Sequence, residues 1–304
     1  MLIVNQKKGE TMQHPGEKHR IVQVAAATLA VAAALGLSAC GGGDDGGSNV
    51  ASIDASAGGA SSSSSSIRVE GESKALSSSL AEVNVLTPPV SWNADGSFPS
   101  GSLVLSARSV DASLLKSEAP GAYTVLPRGK DTLSLSTGTV TDLAGNGDFA
   151  IGRWTAGSDS AGHSYNANQG QTWAVGAPVT VSLTDQSQLN CSLVAATRPT
   201  STDGNTVPGS LDVAIAVVKR QSDALGQFYA NAALTLQYSI GTDKAQIFSG
   251  NSRVGAMLTS SGTRSSLYSS FMGPNAATPY LVVSYGVYAP TAGGINGLAM
   301  LSCK

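Results

Sequence analysis

Three cysteines, three histidines and a wealth of serines are the groups with which this 304-residue chain could do chemistry, and their spacing does not favour catalysis. His14 and His19 lie near the start, so His163 is the one imidazole in the remainder of the chain. It sits in the polar segment Ala156–Gln171 among Gly, Ser and Asn. With so many serines a Ser-His-Asp set can always be assembled on paper, but the strained G-x-S-x-G elbow that exposes a nucleophilic hydroxyl is absent. So are H-E-x-x-H and a glycine-rich phosphate loop ahead of a helix. His163 reads as a solvated loop residue. Asp142, Asp148 and Asp159 border turns, where a carboxylate accepts from nearby backbone N–H groups. No catalytic residue, metal-ligand set or cofactor is expected.

Recognition is a second possibility. Trp and Arg dominate binding hot spots, which makes Arg153, Trp154, Tyr165 and Trp173, gathered about the 156–171 loop, the candidate binding residues. The competing reading, which the residues favour, is packing: a Trp at a strand end caps an interface between two β-domains, and Arg153 bonds loop carbonyls beside it. Trp92, Tyr268, Tyr280 and Tyr288 are open to the same two readings.

Cys40 closes a different pattern. Lys18 and Arg20 precede Ile21–Leu37, a 17-residue alanine-rich apolar run interrupted by Gln23, Thr28 and Gly36. Positive flank, apolar run and small residues make an export signal. The run is short and weakly apolar beside the roughly 20 residues of a spanning helix, although an uncleaved anchor is the alternative. Leu37-Ser38-Ala39-Cys40, opening onto Gly41-Gly42-Gly43-Asp44-Asp45, resembles the lipobox of bacterial lipoproteins. That resemblance implies residues 1–40 as a signal ending at the lipidated cysteine: a diacylglycerol on the Cys40 sulfur, removal of the peptide before it, and acylation of the new amino terminus. Met12 would also start a complete signal. Gly41 in place of Asp implies, in that family, the outer membrane over retention in the inner one; the facing, outward or periplasmic, stays open.

Charged residues make up 12% of the chain. That is about half the usual share. Residues 41–304 hold 14 basic and 18 acidic side chains, with no basic stripe, which excludes nucleic acid as an expected partner. Residues 41–79 are Ser, Gly or Ala at 26 of 39 positions, including six serines from Ser61 to Ser66. Such a stretch has too little apolar surface to offset its ordering entropy and reads as a disordered linker. Ile67–Val69 is its one part suited to packing.

From Leu80 the punctuation changes to short alternating runs bounded by Gly, Asn, Asp and Pro, the strand signal. Segments 102–108, 132–140, 148–154 and 172–175 fit it, Val110–Leu115 fits a single helical turn, and 80–182 reads as a β-rich handle. Residues 183–304 are the most regular, with eight strands expected at about 187–196, 210–219, 230–239, 244–249, 254–260, 267–273, 280–288 and 294–303. Between them lie turn formers such as Gly241-Thr242-Asp243, Gly250-Asn251 and Gly273-Pro274-Asn275. Eight antiparallel strands joined by short turns can close a small barrel, although a two-sheet sandwich would use much the same pattern. The fold class expected is all-β: an eight-stranded antiparallel barrel preceded by the handle.

Ile151-Gly152-Arg153-Trp154, Thr172-Trp173-Ala174-Val175-Gly176, Ser192-Leu193-Val194-Ala195-Ala196-Thr197-Arg198-Pro199-Thr200 and Asp203-Gly204-Asn205 resemble bacterial surface lipoproteins that share the barrel of the transferrin-binding protein B family. The closing Phe271-Met272-Gly273-Pro274-Asn275-Ala276-Ala277, with Tyr280 and Ile295-Asn296-Gly297, is similar to the end of that family. The likeness spans about 148–304. It implies the barrel and a non-catalytic, outer-membrane-anchored module that binds a protein or an iron-containing ligand. A structural or assembly lipoprotein is the alternative. This chain departs from the pattern at Cys191 and Cys303, where relatives carry aromatics. With Cys40 lipidated, an even pair remains in an exported protein, which favours a disulfide over two buried thiols. Cys191 lies in the first barrel strand and Cys303 in the last, which closure makes neighbours.

Overall fold

The computed structural model describes residues 66–89, 105–128, 130–255, 257–260 and 265–304. The segment expected to be a signal, Cys40, residues 41–65, Trp92 and residues 102–104 lie outside the described residues.

Short alternating runs separated by turn formers give strands throughout. The first group is β1 (Ile67–Val69), β2 (Glu82–Thr87), β3 (Leu105–Asp111), β4 (Lys116–Ala119), β5 (Ala122–Arg128), β6 (Asp131–Gly145), β7 (Phe149–Asp159), β8 (Ser164–Tyr165) and β9 (Gln171–Gly176). The second is β10 (Gln188–Ala196), β11 (Thr200–Ser201), β12 (Ser210–Ser222), β13 (Phe228–Ile240), β14 (Asp243–Arg253), β15 (Met257–Ser260), β16 (Ser265–Met272), β17 (Tyr280–Ala289) and β18 (Gly293–Cys303). The single turn expected at 110–115 is a 3-10 turn, Ala112–Leu114, whose N-cap Asp111 accepts from the Ser113 N–H at 2.8 Å.

The first nine strands form a half-barrel in the order β3-β2-β9-β7-β6-β5-β4, with β1 on β6 and β8 on β7. The rest form a nearly closed barrel-like sheet, β14-β13-β12-β10-β18-β17-β16-β15, with β11 on β18. All eight expected barrel strands are present. Its first and last strands, β10 and β18, pair from Cys191 to Ala196, with a register slip between Leu193 and Ala195, which sets Cys191 opposite Cys303, and the two sulfurs are bonded. The incomplete flank lies elsewhere, between β14 and the β15–β16 pair. There the described residues make one parallel bridge, Val254 to Ser269, beside a 2.8 Å hydrogen bond between the Ser252 and Ser269 hydroxyls.

The side-chain period of two explains how one run serves two cores. In β17 and β18, Leu281, Val283, Tyr285, Ala299 and Leu301 point into the barrel with Ala216, Leu234 and Leu236. The alternate residues Val282, Leu298 and Met300 point out and meet Leu86, Phe149, Ile151 and Ala174 of the half-barrel. Continuous apolar sequence is required where both faces are covered. On the far side of the half-barrel, Val83, Val85, Leu126, Leu133, Val140, Trp154 and Trp173 make a third core. Between the sheets, residues 177–187 run as an extended connector whose Val179, Val181 and Leu183 pack on the barrel core.

The expected linker, 41–79, ends earlier than its composition indicates. β1 pairs in parallel with Gly138–Val140, and the N–H groups of Glu70, Lys74 and Ser77 donate to the carbonyls of Val140, Gly145 and Gly147. Ile67, Val69 and Leu76 join the third core. The strip lies close because Gly121 and Gly145 carry no side chain: a Cβ at Gly121 would stand 2.8 Å from the Lys74 carbonyl, and one at Gly145 would strike the Ser73 hydroxyl. Residues 66–79 therefore belong to the half-barrel, held by backbone bonds that composition does not register.

Candidate functional site

The four residues selected for recognition are placed inside the protein. Arg153, Trp154 and Trp173 are fully buried and Tyr165 is 7% exposed, so the structure corrects their reading as ligand contacts in favour of packing. The Trp154 indole N–H donates to the Tyr123 carbonyl at 2.8 Å, and the Tyr123 ring meets Trp173 edge-on at 5.8 Å. Trp173 fits because its partner across the sheet is Gly152.

Arg153 serves a junction. Its Nε donates to Asp142 Oδ2 at 2.8 Å and its Nη1 to the Gln169 carbonyl at 3.3 Å. Asp142 sits at φ 54° where β6 slips register between Thr141 and Ala144, which turns its carboxylate toward the barrel. Its other oxygen accepts from Arg198 Nε at 2.6 Å. One carboxylate thus joins a guanidinium of each sheet. Burial lowers the basicity of Arg153, and the charge and hydrogen bond of Asp142 act against that. A buried pair of this kind must be well bonded to offset desolvation.

His163 lies in a loop, partly open to solvent, and is tied there by a carboxylate. Its side chain is 41% exposed, and its Nδ1 lies 2.9 Å from Asp159 Oδ2, which also accepts the Tyr165 hydroxyl in a very short bond. Asp159 Oδ1 accepts the N–H groups of Ala161 at 2.9 Å and His163 at 3.1 Å. Burial alone would raise the Asp159 pKa; the bonds from Tyr165 and His163 outweigh it and leave the value below normal. Tyr165 is pushed far up, first by burial and then by its bond to Asp159, so it stays a phenol. An Asp-His pair orients an imidazole, but among the described residues no hydroxyl or thiol nucleophile bonds its Nε2. The cluster stiffens a loop.

That loop is a clasp. Asn166 and Asn168 donate their side-chain amides to the Gly204 carbonyl at 3.0 and 3.1 Å, and Gln169 donates to the Thr202 carbonyl at 3.1 Å. The segment about which the binding candidates gather fastens one sheet to the other.

The accessible site is a cleft of about 420 Å³ where three parts of the chain converge. The half-barrel contributes Asn84, Arg108 and Ser109 from β2 and β3; the connector contributes Pro178–Val181; the incomplete flank of the barrel contributes Ala230, Val254, Gly255, Ser270 and Phe271. Ser109, at φ 49°, is held by its N–H donating to Asn84 Oδ1 at 3.0 Å, which kinks β3 at the mouth. Arg108 Nη2 approaches the Gly255 carbonyl at 3.5 Å. Gly255, at φ 83°, turns the chain out of β14 and donates its N–H to the Ser269 carbonyl at 2.7 Å.

Val179, Val181, Val254 and Phe271 give this cleft an apolar side, and Asn84, Arg108 and Thr180 a polar rim. That combination suits non-covalent recognition, with apolar contacts for affinity and a few polar groups for orientation. Neither a nucleophile-base pair nor two close carboxylates line it. Among the described residues no group of three His, Cys, Asp or Glu could hold a metal. Sequence reasoning missed the cleft; its one local trace is the alternation Val179, Val181, Leu183 in the connector.

No protein-family model, curated protein or solved structure matches this chain.

Proposed function

We propose that this chain is an outer-membrane lipoprotein, acylated at Cys40, whose two-sheet body is a non-catalytic binding module for an extended segment of another protein. The observation that carries the binding part is the cleft, which is open, mixed in polarity and flanked by the edge strand β3 and the unsealed flank of the barrel. Strand edges offer backbone donors and acceptors to an incoming strand, while side pockets select its residues. The resemblance of residues 148–304 to the transferrin-binding protein B barrel agrees with a binding role. So does the 25-residue Gly, Ser and Ala stretch between Cys40 and Ser66. As a flexible coil it would reach roughly 25–30 Å, which keeps the body within reach of the bilayer.

The binding role is tested by placing a photo-crosslinking residue at Thr180 and irradiating intact cells. A discrete protein adduct that disappears on adding Arg108→Glu supports the role, and an adduct pattern unaffected by that change refutes it. For the anchor, radiolabelled palmitate should enter the wild-type chain and not Cys40→Ser; equal labelling of both would remove the lipoprotein reading.

A further inference from the structure

The β12–β13 hairpin is longer than the barrel needs. β10 supports β12 no further than Lys219, and β14 supports β13 no further than Asn231. Past Ala230, whose carbonyl accepts the Val254 N–H, the pairs Gln221 with Tyr229 and Ser222 with Phe228 have no third strand beside them in the ladders of the described residues. At about 3.3 Å per residue, two such pairs and a turn stand roughly 10 Å beyond the rim.

This projection is stiff. Asp223 Oδ1 accepts the N–H groups of Leu225 at 3.0 Å and Gln227 at 2.9 Å, the Asp223 N–H donates to the Gln227 carbonyl, and Gly226 takes φ 75°. What the turn holds outward is apolar. Leu225 is the most exposed large apolar side chain among the described residues, at 86%, and Phe228 is 58% exposed. Behind them Arg220 stacks over the Phe228 ring at 3.5 Å and Arg253 over Tyr229 at 4.5 Å, and each guanidinium also pairs with a carboxylate, Arg220 with Asp185 at 3.0 Å and Arg253 with Asp223 at 3.8 Å. Lys219 is exposed one residue further down.

We propose that this tip inserts into a lipid bilayer, with Leu225 and Phe228 entering the acyl region, Lys219 meeting lipid phosphates, and Arg220 and Arg253 exchanging their solvent-accessible carboxylate partners, Asp185 and Asp223, for phosphates. The order along the hairpin matches the order across a membrane surface: apolar tip, then aromatic rings, then cations with apolar stems. The tip is convex, whereas a protein hot spot is enclosed by a ring that excludes water. A turn already fixed by Asp223 loses little conformational freedom on insertion. The proposal rests on the Cys40 anchor in one respect: two side chains bind a bilayer weakly, and a short tether keeps the local lipid concentration high enough for weak insertion to count.

The test separates the two readings. The chain from Cys40 to Lys304, which contains every described strand, is coupled through that thiol to a maleimide lipid in vesicles of phosphatidylethanolamine and phosphatidylglycerol. Attachment then does not depend on acylation in the cell. In Leu225→Trp the added indole should be quenched by brominated acyl chains beyond the background of Trp92, Trp154 and Trp173, and a further Phe228→Asp should weaken that extra quenching roughly tenfold. Quenching no greater than that of the unsubstituted chain overturns the proposal. So does a photo-crosslinker at Leu225 that captures an envelope protein in cells while lipid quenching is absent, which assigns the tip to a protein partner. Loss of palmitate labelling with quenching intact would remove the anchor reading and leave the insertion.

Discussion

Gly297 lies directly opposite Tyr285 across the β17–β18 ladder, and the Tyr285 ring fills the space a side chain at Gly297 would occupy. A Cβ at Gly297 would stand 2.6 Å from Tyr285 Cζ. The half-barrel repeats the device with Gly152 and Trp173, where a Cβ would stand 2.9 Å from Trp173 Cε2. An aromatic laid over a cross-strand glycine fills the gap that glycine leaves in a sheet.

Gly297→Ala and Gly152→Ala should each destabilise the protein by about 1–3 kcal/mol, the usual cost of forcing atoms into a packed core. Urea denaturation reads this as a lower midpoint with an unchanged slope. A midpoint equal to that of the wild type at either position would mean that the rings move aside freely.

Asp142 shares its carboxylate between Arg153, which is fully buried, and Arg198, whose side chain is 49% exposed. Asp142→Asn leaves Arg153 without a counter-charge and should cost about 3–5 kcal/mol. Arg198→Ala removes a partly hydrated partner and should cost less than about 1 kcal/mol. Comparable losses for the two variants would contradict this division of roles.

The Cys191–Cys303 disulfide closes a loop with a sequence separation of 112. Chain-entropy reasoning sets about 5 kcal/mol as the ceiling on what it adds, with about 2–4 kcal/mol the common range. Non-reducing peptide mapping should recover the two cysteines in one linked species, and reductant should lower the melting temperature of the wild type but not of a Cys191→Ala, Cys303→Ala double variant.

Asp159 has a depressed pKa because the bonds it accepts outweigh its desolvation. A folded value below the unfolded one stabilises the protein above about pH 4, and this contribution fades as pH falls through the folded value. Wild-type stability should therefore drop more steeply than that of Asp159→Asn on acidification below about pH 4. Parallel curves for the two proteins would show that the carboxylate is not the acid-sensitive group.

The strands of the barrel were legible in the sequence because turn formers separate them; its closure was not, since a two-sheet sandwich would use much the same pattern. Tyr238 declares its face by its polar neighbours Gln237 and Ser239, whereas Val283 and Leu301, beside Val282 and Met300, do not, because both faces of their strands are covered. β1 carried a fainter mark: Ile67–Val69 was the one part of a Ser-rich tract suited to packing, but its parallel pairing with β6 and the backbone bonds to Val140 and Gly145 that extend the strip beyond it had no sign in the sequence. Residue type left the binding candidates open to two readings, ligand contact and the favoured packing, between which only burial could decide. Gly152 beside Arg153 and Trp154 was the available sign of a crowded interior, since a glycine within a strand marks close approach. The cleft had no comparable sign. Asn84, Arg108, Thr180, Val254 and Phe271 come from distant parts of the chain and meet only after both sheets have formed.

The layer made by β16, β17 and β18 belongs to two cores at once, with Leu281 and Leu301 on one side and Val282 and Met300 on the other. Neither half can lose its order without stripping a wall from its neighbour. Heating should therefore yield one calorimetric peak whose van't Hoff and calorimetric enthalpies agree, in place of two peaks for a handle and a barrel melting in turn.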